Sequence, residues 1–325
     1  MFICLGNGIS INYYKLWHQG IHIHNNQWLK NQKINFFIMK YKKIFILSSC
    51  FSVLLFLLSI WSFFSSEIPD QSLGEGTNTK VLNYAGPLFG EIYDPLIGSI
   101  KSLQELKSMI HQAIEDNDLS GIEIPIYIDD LLRKKFLHGS SSIPLRGNWF
   151  LKFIDKTFPT KEITFSLSPN DIAKSNRAIC SQQAVLFQEL VQEFGFEYES
   201  VGFNIPLLEP VRGDADNEFN HYASAVKVEN DWYYFDSNLE PEYDRYSSDI
   251  YNEILAGESA RLSKLYPKYK WVEIKEGMIY NSNRNVFPAK NGLLIQQISK
   301  LISYYGWLFF LVISYFFYRL SKKNL

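Results

Sequence analysis

Residues 180–195 read CSQQAVLFQELVQEFG, and residues 221–236 read HYASAVKVENDWYYFD. In the first stretch Ala184, Phe187, Leu190, Val191 and Phe194 recur at helical spacing as one apolar stripe, and Gly195 supplies the stop. Cys180 therefore opens a buried helix. Tyr198 to Phe203 then reads as a strand. In the second stretch His221–Val228 and Asp231–Asp236 alternate in character on either side of Glu229-Asn230, which is the pattern of a hairpin. A two-residue turn pairs Val228 with Asp231 and sets Asp236 opposite Ala223, on the same face as His221. An odd loop with no bulge would part them. A cysteine-bearing helix packed on an antiparallel sheet predicts an α+β core.

Upstream, Leu103, Leu106, Ile110 and Ile114 mark a helix over Ser102–Asp116, with Ser102 as its cap and Glu105 as the capping-box partner. Ile128–Phe136 and Trp149–Phe158 read as two shorter helices, so the front half of the domain is helical.

Two apolar runs enclose this core. Ile44–Phe64 reads IFILSSCFSVLLFLLSIWSFF and Leu301–Tyr318 reads LISYYGWLFFLVISYFFY, neither with a charged residue. At about 1.5 Å per residue the first spans a hydrocarbon layer of roughly 30 Å and the second reaches the lower limit. Lys40, Lys42 and Lys43 precede the first run, and Arg319, Lys322 and Lys323 follow the second. The positive-inside rule then puts both ends in the cytoplasm and the middle outside, in the periplasm if the cell is bacterial. The expected organisation is a cytoplasmic arm over 1–38 (or a true start at Met39) and a transmembrane helix over 44–64. A polar linker over 67–83 leads to an extracytoplasmic domain over 84–299, a transmembrane helix over 301–318 and a basic tail over 319–325. A cleaved signal peptide is the competing reading of the first run.

Composition narrows the function. With 32 Lys+Arg against 34 Asp+Glu, the chain is not a basic nucleic-acid binder, and no nucleic-acid partner is expected. Lys264, Lys268, Lys270 and Lys275 interleave with Tyr266, Tyr269 and Trp271, but Glu273 and Glu276 among them read as a solvated edge. The sequence carries no phosphate loop, metal-ligand cluster or nucleotide fingerprint, so no cofactor and no metal is expected. His111 and His138 read as structural. The other cysteines, at 4 and 50, fall in the arm and the first apolar run. A thiol kept at 180 in an oxidising space is better explained by reactivity than by stability.

Cys180, His221 and Asp236 are the candidate catalytic residues. A cysteine at a helix N-terminus faces the positive end of the helix dipole, which favours the reactive thiolate. A histidine within reach takes the thiol proton and later hands it to a leaving amine. An aspartate on the far imidazole nitrogen fixes the tautomer and stabilises the imidazolium. The backbone N–H of Cys180 supplies half of an oxyanion hole in such a layout.

These blocks resemble the transglutaminase-like superfamily. The likeness rests on Cys180, Ala184, Leu186-Phe187, Gly195 and the strand to Gly202-Phe203, then His221, Trp232 and Asp236, and covers roughly 175–240. It departs at Ala178, where members usually carry Gly, and at Tyr222 and Ser224, where the aromatic residue after the histidine comes early. The resemblance implies a papain-like fold with Cys180 as nucleophile, His221 as base and acid and Asp236 as orienter. It also makes Trp149 a candidate oxyanion donor, against a plain packing role. The expected function is a membrane-anchored cysteine acyl-transfer enzyme acting on amide or peptide bonds, as a peptidase or amidase or as an amine cross-linker. Its partners would be a protein, peptide or amide-bearing substrate and the lipid bilayer. The alternatives are a catalytically silent module binding protein or glycan in the cell envelope, and a structural component of an envelope or export assembly.

Overall fold

The computed structural model describes residues 10–65, 92–139, 141, 143–157, 163, 165–206, 218–238, 244–256, 276–280 and 291–323. In chain order its elements begin with helices α1 (Ser10–Ser65), α2 (Pro95–Gly98), α3 (Leu103–Asn117) and α4 (Glu123–Lys135). Strand β1 (Leu137–His138) is followed by α5 (Trp149–Thr157), α6 (Pro169–Ala173), β2 (Arg177–Ala178) and α7 (Cys180–Glu193). Then come β3 (Glu197–Pro206), β4 (Glu218–Val228), β5 (Asp231–Phe235), α8 (Asp249–Ala256), β6 (Glu276–Tyr280) and α9 (Gly292–Lys323). Contacts divide the chain into two units, Met1–Trp61 with Ile302–Leu325, and Ser62–Leu301.

The first unit is a helix pair. Phe36–Phe64 of α1 and the whole of α9 are long and apolar enough to cross a membrane. Residues 10–38, whose sequence shows no clear period, continue α1 as helix. Between the helices Ser52 Oγ donates to the Trp307 carbonyl at 3.0 Å and Ser59 Oγ to the Ser303 carbonyl at 2.8 Å. Ser314 Oγ meets Ser48 Oγ at 2.8 Å, and Phe51 stacks on Phe310 with centroids 5.6 Å apart. Leu54, Leu57, Leu311 and Val312 are exposed. Small polar residues inside and large apolar ones outside are what a lipid solvent selects.

The second unit is mixed helix and sheet. Its antiparallel sheet has the order β5-β4-β3-β6, and a separate parallel pair joins β1 to β2. The core is built by Leu106 and Ile110 of α3, Ile128 and Leu132 of α4, Leu186, Leu190 and Val191 of α7, and Val226 and Phe235 of the sheet. α3 forms where its apolar spacing places it, and Ser102 caps it by accepting from the Glu105 N–H at 3.4 Å. α4 begins five residues ahead of the Ile128 expected from the sequence.

α7 ends in a Schellman motif. The Phe196 N–H donates to the Val191 carbonyl at 3.2 Å and the Gly195 N–H to the Gln192 carbonyl at 3.0 Å. Gly195 sits at φ +84°, a left-handed conformation that glycine adopts without a Cβ clash. A smaller cluster of Leu151, Ile163 and Leu167 takes Ile295 from the first turn of α9. Gln296 there donates to the Ile163 carbonyl at 2.9 Å, so α9 starts ahead of its apolar run. The expected linker at 67–83 and the lysine-aromatic array at 264–275 lie outside the described residues.

Candidate functional site

The hairpin forms around Glu229-Asn230, with Glu229 at φ +57°, and pairs Val228 with Asp231. The β4–β5 ladder runs on to Ser224 and Phe235, and there it ends. Ala223 and Asp236 follow in the same register, so Asp236 shares a face with His221. Beyond this last pair β4 is still held by β3, Phe203 standing opposite His221. The even turn thus brings the two residues together at the open end of the ladder. His221 Nε2 lies 2.6 Å from Asp236 Oδ2.

Asp236 is fixed on every side. Its Oδ1 accepts from the Asn238 N–H at 3.1 Å, an Asx turn, while Oδ2 also receives the Tyr234 hydroxyl at 3.4 Å. Its main-chain carbonyl accepts from Arg133 Nη2 of α4. The turn-capping role and the contact with His221 are therefore made by different oxygens of one carboxylate.

Cys180 is the first residue of α7, and Ile179 at the N-cap carries no side-chain oxygen to occupy the first N–H groups. The body of α7 covers the sheet face that bears Ser224 and Phe235. Phe187 packs on Phe235 at 5.2 Å between centroids, and Gln188 Nε2 donates to Ser200 and Ser224 at 3.1 and 3.0 Å. By register this is not the face His221 shares with Asp236. Cys180, at the start of the helix, lies near enough to the histidine to help raise its pKa.

The site is dry: Cys180 is 5 % exposed, His221 0 % and Asp236 1 %. Burial alone pulls an imidazole down. The Asp236 charge and hydrogen bond, joined by the Cys180 thiol, outweigh it and push His221 from 6.5 up to about 10. At neutral pH the ring is an imidazolium held by a carboxylate.

Sequence reasoning missed the residues that set this geometry. Gln182 is fully buried and welds the start of α7 to two loops. Its Oε1 accepts from the Ser141 and Ile179 N–H groups at 3.0 and 3.3 Å. Its Nε2 donates to the Ser141 and Ser166 carbonyls at 2.8 and 3.1 Å. Gln183 Nε2 donates to the Ala178 carbonyl at 3.2 Å. Both glutamines lie off the apolar stripe, and the distant loops at Ser141 and Ser166 make Gln182 a core residue. Trp149 opens α5 and packs edge-to-face on Phe150 at 5.5 Å. His111 packs on Phe194 at 4.6 Å. No group of three or more His, Cys, Asp or Glu that would hold a metal ion occurs among the described residues. Compared with protein-family models and with curated proteins, the chain matches none.

Proposed function

We propose that Cys180, His221 and Asp236 are the triad of a transglutaminase-like, papain-fold cysteine acyl-transfer enzyme, anchored in a membrane by α1 and α9. The observation that carries this reading is the buried 2.6 Å His221–Asp236 pair, with Cys180 at a helix start acting on the same imidazole. With the proton already on the His221 imidazolium, the Cys180 sulfur attacks as thiolate the carbonyl carbon of a carboxamide or peptide. The tetrahedral oxyanion is met by the N–H groups at the start of α7. The C–N bond breaks as the imidazolium returns the proton to the leaving amine, and a thioester remains. Water or a primary amine, deprotonated by His221, attacks the thioester and frees the thiol. Asp236 keeps the imidazole in one tautomer throughout.

The lysines before the first span and the basic residues after the second support an orientation with both ends in the cytoplasm and the domain outside. Protease added to intact cells or spheroplasts is expected to digest the domain; protection until lysis overturns this orientation.

Burial of all three residues favours a second reading, a catalytically silent module that binds protein or glycan. One experiment separates the two. The full-length protein in detergent is incubated with glutaminyl peptides and a fluorescent primary amine, and both ammonia release and amine incorporation are followed. Turnover that vanishes in Cys180→Ala and in His221→Ala supports the enzyme. Turnover retained in Cys180→Ala sinks the triad. No turnover and no His221-dependent thiol alkylation in the wild type leave the silent module.

A further inference from the structure

The strand ladder stops at Phe235, so no sheet hydrogen bond fixes the residue whose carboxylate meets His221. Helix α4 fills that role. Asp129 and Arg133 stand one turn apart on its buried side, and Arg133 Nε donates to Asp129 Oδ2 at 3.1 Å. Arg133 Nη2 donates to the carbonyl of Asp236. Ser237, the next residue, donates its hydroxyl to Asp129 Oδ1 at 2.6 Å. Arg245 closes the cluster, its Nη1 reaching Asp129 Oδ2 at 3.0 Å and Asp130 Oδ1 at 2.7 Å. Two carboxylates and two guanidinium groups thus form a neutral set, buried at Asp129 and Arg133 and partly exposed at Asp130 and Arg245, and its directed bonds end on both sides of one peptide unit.

A buried ion cluster adds little stability over a well-packed apolar core. Its planar, directional donors do fix geometry. We propose that Asp129, Arg133 and Arg245 are positioning residues that hold the Asp236–Ser237 segment so that the Asp236 carboxylate stays on His221. The inference rests on the triad reading. They act through the Asp236 carbonyl and the Ser237 hydroxyl.

The test is iodoacetamide alkylation of Cys180 in the full-length protein in detergent, read at that peptide by mass spectrometry from pH 5.5 to 9.5, with a denaturation midpoint for each variant. An ordinary thiol, with pKa about 8.5, loses more than about 100-fold in rate between pH 9 and pH 6. The wild type is expected to lose less than about tenfold. Arg133→Met should lower the pH 6 rate at least tenfold with the pH 9 rate unchanged, and Arg133→Lys should recover part of it. Ser237→Ala removes one hydroxyl and no charge, and should lower the pH 6 rate about threefold. It decides the matter if Arg133→Met does not fold. A His221-dependent profile that stays at wild type in Ser237→Ala and in any folded Arg133 variant, while only the midpoints fall, overturns the positioning role alone. A wild-type profile that His221→Gln leaves unchanged overturns the triad reading and this inference together.

Discussion

Between α1 and α9 the side chains hydrogen-bonded across the pair are serines, and large apolar residues such as Leu54 and Val312 point outward. In the site-bearing domain the order is reversed. Leu106, Ile128 and Leu186 are fully buried, and buried polar groups such as Asp129 with Arg133 and Arg245, or Gln182 with its loops, sit in hydrogen-bonded sets. The helix pair has the pattern a lipid solvent selects, and the domain the pattern water selects. A serine in a helix returns its hydroxyl to its own backbone, as Ser59 does to the Leu55 carbonyl at 2.8 Å, and asks little of its neighbour. A buried aspartate has no such local answer and needs donors from elsewhere in the chain.

Removing one member of each set should therefore give very different losses. Asp129→Ala leaves Arg133 and Arg245 without their shared carboxylate, and is expected to destabilise the domain by about 3–5 kcal/mol in chemical denaturation. A loss under about 1 kcal/mol would mean that the cluster is solvated and the contrast false. Leu186→Ala, at a site with no exposure, should cost about 2–5 kcal/mol through the cavity it leaves. Leu57→Ala on the outer face of α1, 58 % exposed, should cost less than about 0.5 kcal/mol, because lipid chains refill the space. Equal losses at the two leucines would show that α1 is packed against protein there.

What could be read from the chain divides along the same line. Local signals carried α7: its stripe, its glycine stop and its cysteine start all lie within one stretch. The even turn at Glu229-Asn230 was enough to set Asp236 on the face of His221, because strand parity is a local property. The Asp129 cluster was hidden. Ile128–Phe136 reads as an ordinary amphipathic helix, and the partners that draw Asp129 and Arg133 inward are Ser237, Asp236 and Arg245, more than a hundred residues away. Parity also could not tell which sheet face α7 covers. Phe187 settles that by packing on Phe235, so Cys180 approaches from the helix end. The family resemblance and the sidedness of the membrane rest on motif and charge, and their tests are experiments on activity and topology.

The charged interior also makes a pH prediction that the helix pair does not. His221 keeps its proton to about pH 10 in the folded protein and loses it near 6.5 when unfolded. Its stabilising effect is thus full below about 6.5 and lost as pH rises through about 10, because in that window the folded state binds the extra proton. Burial, with Lys101 nearby, pushes Lys135 down to about 8. Between 8 and 10.5 the unfolded chain then holds the proton that the folded chain lacks, so Lys135 makes stability rise with pH. The clean window for His221 is therefore pH 6.5–8, where stability should fall by up to about 1.4 kcal/mol per pH unit. His221→Gln should remove that slope. A slope unchanged in His221→Gln would mean that the imidazole is not held charged by Asp236.

A small effect in the helix pair sharpens the comparison most. Ser59 Oγ divides its bond between Leu55 of its own helix and Ser303 of α9, both at 2.8 Å. Ser59→Ala removes the inter-helix bond, but the Ser303 carbonyl lies inside α9, where the helix ladder also serves it. The helix pair should lose only about 0.6 kcal/mol, the mean for such bonds in a bilayer, when unfolded by detergent titration in mixed micelles. Ser59→Leu should cost several times more, because a large side chain would force the helices apart where a serine lets them close. If Ser59→Ala alone costs as much as Asp129→Ala, the hydroxyl is not locally satisfied. The pair would then bury polar groups by the rule of the domain, and the lipid-facing reading of its outer surface would lose its physical ground.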